Sequence, residues 1–229
     1  MKTIIFDFDG TLTEKHKNVW RFLWQELGYD TTKNSAYATL YTLFIRNKIT
    51  HQKWCDLTCY FFQKKKMNKE LLNKAIDHTP LLPDCLEFLK ILNEKGYDLH
   101  IVSGCIGSVI KGILGSGAKY FTKINANEMI FDKNSNLQYI KGTPYDYEGK
   151  ALYIQELMQK NNILPSDILF IGNADNDEFV HKTGCYTLCL NAETKNADNT
   201  TIWNNRVETN SLLELIPVIN NIFNETKEK

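Results

Sequence analysis

Ile4-Ile5-Phe6-Asp7-Phe8-Asp9-Gly10-Thr11-Leu12-Thr13 is the stretch from which the rest of the chain is read. An apolar run ends abruptly in two carboxylates spaced i, i+2, followed by a glycine and a threonine. Side chains along a β-strand alternate with a period of two, so Asp7 and Asp9 share a direction for as long as the strand continues. Gly10 lets the chain turn immediately afterwards. The pair is therefore expected at the carboxyl end of a buried strand, where open α/β sheets place their ligands. Two carboxylates held together repel unless a proton or a cation lies between them. Mg²⁺, a hard cation with oxygen ligands, suits that place. One acid of such a pair can attack phosphorus while the other moves protons. D-x-D pairs also occur as plain turn acids, so the reading depends on later segments.

Residues 2–8 read as the first strand. From about 15 to 78 the texture becomes helical. Val19, Phe22, Leu23 and Leu27 recur at helical spacing and Gly28 suits a stop. Tyr37, Leu40, Tyr41 and Phe44 mark a second helix, Trp54, Leu57, Phe61 and Phe62 a third, and Leu71, Leu72, Ala75 and Ile76 a fourth. The aromatics, Trp20, Trp24 and Trp54 among them, read as the core of a small bundle, with one or two free to face a substrate. Lys64-Lys65-Lys66 reads as a solvated helix end.

Pro83 suits the first turn of a helix running to Lys95, and Gly96 its C-terminal cap. Residues 97–102 read as a strand ending at Ser103-Gly104, followed by a helix to about Leu114. Residues 120–141 read as a hairpin with its turn at 132–136. Residues 149–161 form a predicted helix, 167–172 a strand, 176–182 a short helix and 185–190 a strand. A closing helix over 212–223 has Ser211 as its expected N-cap. The polar tail 224–229 is expected to fray. Alternating strands and helices imply a mostly parallel sheet. The helical block interrupts the alternation once, as an insert after the first strand, over the carboxyl ends.

Lysine plus arginine equals aspartate plus glutamate, 27 each, so no basic excess argues for nucleic acid or an anionic membrane. No apolar run approaches the ~20 residues of a membrane span. Asp7 and Asp9 interrupt the N-terminal apolar run too early for a signal peptide, and the cytoplasm is the expected compartment. None of the six cysteines forms a C-x-x-C pair, and they read as small core residues. No zinc spacing links the histidines.

Three later segments add chemistry. Ser103, after a strand and before a helix, can offer its hydroxyl beside helix N-terminal amides to a phosphate oxygen. Lys150 opens a helix, where a cation opposes the helix dipole unless an anion compensates; a phosphate and Asp7 would do so. Ile171-Gly172-Asn173-Ala174-Asp175-Asn176-Asp177 again ends a strand in a small polar cluster with acids.

In this order, D-x-D-G-T, then Ser, then Lys, then a G-(D/N)-x-x-N-D loop, the segments resemble the haloacid dehalogenase superfamily of phosphohydrolases. The 23-residue interval from Lys150 to Asn173 resembles its phosphoserine-phosphatase-like branch. Leu190-Asn191-Ala192 with a later Asp198 does too. The resemblance implies a Rossmann-like three-layer α/β core over 1–13 and 80–229, with an α-helical cap over 14–79 inserted after the first strand. It implies Mg²⁺-dependent hydrolysis of a small phosphorylated metabolite, by a monomer or homodimer. Asp7 would attack phosphorus, forming an aspartyl-phosphate, and Asp9 would protonate the leaving oxygen and then activate water. Ser103 and Lys150 would bind and neutralise the phosphoryl oxygens, with Gly10, Thr11 and Gly104 also lining the phosphate. Asp7, the Asp9 carbonyl and Asn173 would hold the metal, and Asp177 would orient Lys150 or a metal-bound water, as a fourth member of the metal site. A phosphotransferase or mutase on the same scaffold, or a phosphate-binding module without turnover, shares most of these residues.

Two departures bear on function. Asn173 stands where the family usually has aspartate, which removes one negative charge and is expected to weaken Mg²⁺ binding. Nine residues after Asp7, where serine-phosphate members carry a glutamate for the substrate ammonium, this chain has His16. His16 is thus expected to face a different alcohol, anionic or neutral and polar.

Overall fold

The protein is described here from a computed structural model covering residues 1–224. Seven strands, β1 (Thr3–Phe6), β2 (Asp98–Ile106), β3 (Lys123–Phe131), β4 (Leu137–Lys141), β5 (Ile168–Gly172), β6 (Tyr186–Leu190) and β7 (Asn205–Val207), form one sheet. Its order is β4-β3-β2-β1-β5-β6-β7, and only the β3–β4 hairpin pairs antiparallel. The expected Rossmann-like α/β architecture is present, with β1 at its centre.

The burial of β1 on both faces explains its continuous apolar sequence. Ile4 and Phe6 point into the larger core, against helix α5 (Cys85–Glu94) and its Phe88; Phe6 meets the rings of Phe88 and Phe121 edge-on. Ile5 points to the other face, where α7 (Glu148–Asn161) packs Tyr153, Ile154 and Leu157 over Val102, Ile168 and Phe170. Helices α6 (Gly107–Leu114) and α8 (Leu215–Asn224) complete the larger side.

Between β1 and α5 lie α1 (Val19–Glu26), α2 (Ala36–Ile45), α3 (His51–Lys64) and α4 (Lys69–His78). Asn18, Ser35, Thr50 and Asn68 cap them, each side chain accepting an N–H three residues on; each cap stabilises its helix by about 1 kcal/mol. Trp24 fills the middle of this bundle, against Tyr29, Tyr37, Phe61 and Phe62. The chain leaves and re-enters the sheet domain along two adjacent segments: Leu82 donates its N–H to Leu12, and Glu14 to Pro80. On the far side, α3 covers the edge strand β4, where Gln63 and Gln52 donate to the Gln138 and Ile140 carbonyls. An uncovered edge would invite pairing with another chain.

Four local expectations change. Strand β2 runs on to Ile106, past Ser103-Gly104, because Ile106 pairs with Asn127 after an irregularity in the ladder. The following helix therefore starts only at Gly107, and its N-terminus is not adjacent to Ser103. Ser211 does not cap the closing helix; its hydroxyl donates to Asp84 instead. The short strand β7 carries no apolar alternation and was not anticipated. The fraying expected of the tail concerns residues beyond 224, outside the described residues. No described helix is long and apolar enough to cross a membrane.

Candidate active site

Asp7 directly follows β1, and its N–H donates to Ile171 on β5, so the sheet ladder itself holds it at the strand's carboxyl end. It is buried. Lys150, in the first turn of α7, is wholly buried and reaches back across β5. Its Nζ lies 2.9 Å from Asp7 Oδ1 and 2.5 Å from Asp177 Oδ1. The dipole-opposing lysine thus has its compensation in two carboxylates. Burial works against its charge, but Asp177 and Asp7 outweigh it and hold Lys150 protonated above its ordinary range.

Asp177 lies in a 3₁₀ turn after β5. One of its oxygens takes Lys150; the other accepts the Asn173 and Ala174 N–H groups at 2.9 and 3.0 Å. Burial raises its carboxyl, Lys150 pulls it back down, and the charge of Asp7 adds to the rise. Both oxygens are committed, so of the two roles read from the sequence the geometry favours orientation of Lys150 over metal ligation. Gly172 makes room for this carboxylate, since a Cβ there would sit 2.5 Å from Asp177 Cγ.

Asp9 is in the same cluster. Its carboxyl is pushed up to about 8, first by burial and then by Asp7. The Oδ1 atoms of Asp7 and Asp9 are both buried with no hydrogen-bond donor; the 2.9 Å approach of Lys150 to Asp7 is an ion pair without hydrogen-bond alignment. Gly10 turns the chain here at φ +76°, with the Asn173 amide pressed against the space a Cβ would need. Asn173 is buried, and its Oδ1 accepts the Thr11 hydroxyl at 3.1 Å. Asp7 and Asn173, both buried, bring a carboxylate and an amide oxygen to the turn at Asp9, a donor set whose chemistry fits a hard, oxygen-seeking cation. No cluster of three acidic, histidine or cysteine side chains competes for a metal among the described residues.

Ser103 is buried beside these acids, its Oγ accepting the Cys105 N–H at 3.2 Å. The Gly104 carbonyl is pinned by two donors, Trp20 Nε1 from the cap at 2.8 Å and Asn127 Nδ2 at 2.5 Å. Asp7, Asp9, Gly10, Ser103, Gly104 and Asn173 line one end of a cavity of about 230 Å³. His16 is at the mouth, exposed, in a left-handed conformation, with its N–H on Glu193 Oε1. Asp198 lies away at the surface, paired with Arg206.

Several lining residues escaped the sequence reading. Trp20, Tyr37, Tyr41, Phe44, His51 and Trp54 come from the cap, and Asp146, Tyr147 and Glu193 from the core. The cap aromatics read from the sequence as bundle residues with one or two free to face a substrate; the fold shows which, Trp20 and Trp54 among them. Asp146 had a signal in its position, four residues before Lys150. Tyr147 holds φ +50°, a conformation costing a non-glycine residue about 1–3 kcal/mol. Its hydroxyl meets that of Tyr41 at 2.5 Å, joining core to cap.

Known proteins share this fold. A family model described as haloacid dehalogenase-like hydrolase matches residues 1–178. A phosphoserine phosphatase of Archaeoglobus fulgidus is 24% identical over 202 residues, which cover 84% of this chain and 53% of the relative, so the chain spans about half of that protein's length. Among solved structures, a substrate-bound phosphoserine phosphatase complex superposes with a TM-score of 0.73 at 18% identity, covering 95% of this chain and 97% of the other. An unliganded probable phosphoserine phosphatase of Vibrio cholerae gives 0.75 at 12% identity, over 100% of this chain and 67% of its own. These likenesses are to the fold. With the family model spanning most of the sequence, the chain belongs to the haloacid dehalogenase-like hydrolases.

Proposed function

We propose that this protein is a Mg²⁺-dependent phosphomonoesterase working through an aspartyl-phosphate, with a core of 1–13 and 80–229 and a cap of 14–79. The observation that carries the reading is the buried Asp7, held against Lys150 at 2.9 Å, with Asp9 in the same cavity lining and its carboxyl raised by burial and by Asp7. Asp7 lines the cavity end with its Oδ1 taken by Lys150 at 2.9 Å, which leaves its Oδ2 to approach phosphorus as the nucleophile.

In the first step an Asp7 oxygen bonds to phosphorus and the bond to the alcohol oxygen breaks. Asp9, still carrying its proton, gives it to the departing alkoxide. In the second step Asp9, now a carboxylate, takes a proton from water as that water attacks phosphorus. Inorganic phosphate leaves and Asp7 is regenerated. Ser103 and Lys150 hold the phosphoryl oxygens, with Gly10, Thr11 and Gly104 shaping the space around them. Asp177 keeps Lys150 charged and in place. Asp7, the Asp9 carbonyl and Asn173 would hold Mg²⁺, which supplies charge neutralisation for the phosphoryl group. Cap closure over the cavity keeps bulk water from the intermediate. The relatives' printed names support a small phosphorylated substrate.

The test is phosphate release from a panel of phosphomonoesters, with Mg²⁺ or EDTA, in the unsubstituted chain and in Asp7→Asn. Mg²⁺-dependent release that disappears in the variant is expected. Phosphate appearing on an added sugar rather than in solution would move the reading to a transferase. Binding with neither outcome would make this a silent phosphate-binding protein.

A further inference from the structure

Against Gly104, beside the phosphoryl end, the cavity contains a carboxylate the reaction above does not use; a Cβ on Gly104 would sit 2.6 Å from Asp146 Oδ2. Asp146 has a side chain nine-tenths buried. Its Oδ1 accepts the Tyr147 N–H at 2.9 Å and, more weakly, Asn176 Nδ2 at 3.5 Å. Its Oδ2 accepts no hydrogen bond and lies 3.7 Å from His51 Nδ1, on the cap.

The proton on His51 can be located from its neighbours. Asn127 Oδ1 accepts the Thr143 N–H at 2.8 Å, while Asn127 Nδ2 donates to Gly104. That fixes the amide's orientation, so its oxygen faces His51 Nε2 at 2.9 Å and Nε2 must be the donor. His51 Nδ1, the other ring nitrogen, is buried without a hydrogen-bond partner. It and Asp146 Oδ2 stand 3.7 Å apart with no hydrogen bond to either.

The surroundings say what kind of donor fits. Phe44 lies edge-on to both His51 and Tyr147, at 5.0 and 5.3 Å, and Trp54 is 5.8 Å from His51. Aromatic rings around a carboxylate favour a cation through their quadrupoles. Lys150 is committed to Asp7 and Asp177 and does not serve Asp146 as a direct partner. A second anion, Glu193, stands at the mouth beside His16. This restores, from a different part of the chain, the negative charge that the absence of a glutamate at position 16 seemed to remove.

Resting on the phosphomonoesterase reading, we infer that the substrate's alcohol carries a cationic N–H group, without a carboxylate, held between Asp146 and His51 under the aromatic wall of the cap. A carboxylate on the same alcohol would stand against Asp146 or Glu193, with only the half-buried Lys17 among the cavity-lining residues to receive it. Phosphoamino alcohols fit; a zwitterionic phosphoamino acid such as O-phosphoserine does not.

The experiment is calorimetric titration of the Asp7→Asn chain with three phosphomonoesters at neutral pH: 2-aminoethyl phosphate, 2-hydroxyethyl phosphate and O-phosphoserine. This comparison needs no substitution at the inferred subsite and no turnover. The amino ester is expected to bind at least about tenfold tighter than either other ester, or roughly 1.4 kcal/mol by the usual conversion. Adding Asp146→Asn, with an unchanged circular dichroism spectrum, is expected to abolish the preference. Equal or weaker binding of the amino ester, parity with O-phosphoserine, or a preference surviving Asp146→Asn would each overturn the inference. Hydrolysis of 4-nitrophenyl phosphate, dependent on Asp7, is read separately. Its absence would defeat the phosphatase reading without touching the binding comparison.

Discussion

At one end of the cavity, Asp7, Asp9, Ser103 and Asn173 stand on segments at the carboxyl ends of adjacent parallel strands; at the other, Tyr41, Phe44, His51 and Trp54 project from helices of the insert. The first set is fixed by the sheet. Asp7 is tied to Ile171 by a backbone bond, Asp177 is anchored by two amides, and Lys150 is locked between two carboxylates. The second set is fixed by ring packing and by a few bonds across the cap boundary, from Trp20 to Gly104 and from Tyr41 to Tyr147. The difference assigns the two ends different tasks. Charges preorganised by backbone suit a step whose chemistry is constant. A wall of side chains on an inserted helical bundle suits recognition of a variable alcohol.

That contrast can be broken by substitution, beginning where the effect is largest. Asp7→Asn removes the nucleophile and should lower kcat by roughly 10³-fold or more, while phosphomonoester binding persists; residual turnover close to that of the unsubstituted chain would take the chemistry away from the strand end. Lys150→Met should abolish turnover and also destabilise the fold by about 3–5 kcal/mol, because Asp7 and Asp177 are left buried without a cation. A urea midpoint unchanged by that substitution would show that the acids are not held by the ion pair.

A smaller effect is expected at the metal. Asn173→Asp adds a carboxylate to the donor set and should tighten Mg²⁺ binding by roughly tenfold, seen as a lower half-saturating Mg²⁺ concentration in phosphate release. An identical Mg²⁺ dependence would remove Asn173 from the metal site.

Asp9 gives a pH signature that does not need activity. Its carboxyl is raised in the folded protein to about 8 from 3.8. The folded state therefore holds a proton that the unfolded state has lost, and the corresponding stability is complete below about pH 4 and is lost as pH rises through about 8. In EDTA the Tm should fall by a few degrees between pH 6 and 8.5, and Asp9→Asn should flatten that decline. A Tm rising over this interval would contradict the buried, proton-holding Asp9.

The smallest effect is expected at the mouth. His16 is exposed; its backbone N–H donates to Glu193 Oε1, and its ring reaches that oxygen only at 3.6 Å. His16→Ala should change kcat/KM by less than about threefold, as surface substitutions usually do. A larger change confined to one ester would bring the ring into substrate recognition.

Much of this molecule was legible in the chain because its signals are local. An apolar tetrad ending in two acids marks a central strand, and helical spacing of apolar residues marks the four insert helices, whose caps Asn18, Ser35, Thr50 and Asn68 emerged only with the fold. The catalytic order Asp7, Ser103, Lys150, Asn173 follows from the ends of successive strands and a helix start. Three features needed the fold. The extension of β2 past Ser103 depends on pairing with β3, a partner no single segment encodes. The commitment of Asp177 to Lys150 depends on a distance of 2.5 Å across 27 positions of sequence. The convergence of Asp146, His51 and Glu193 on one cavity depends on how the insert is seated over the sheet. Sequence determined which residue types end which strands, because the periodicity of burial is written along the chain. Tertiary structure alone decided which charges meet, because Coulomb and hydrogen-bond energies fall off over a few ångströms in space and are indifferent to separation in sequence.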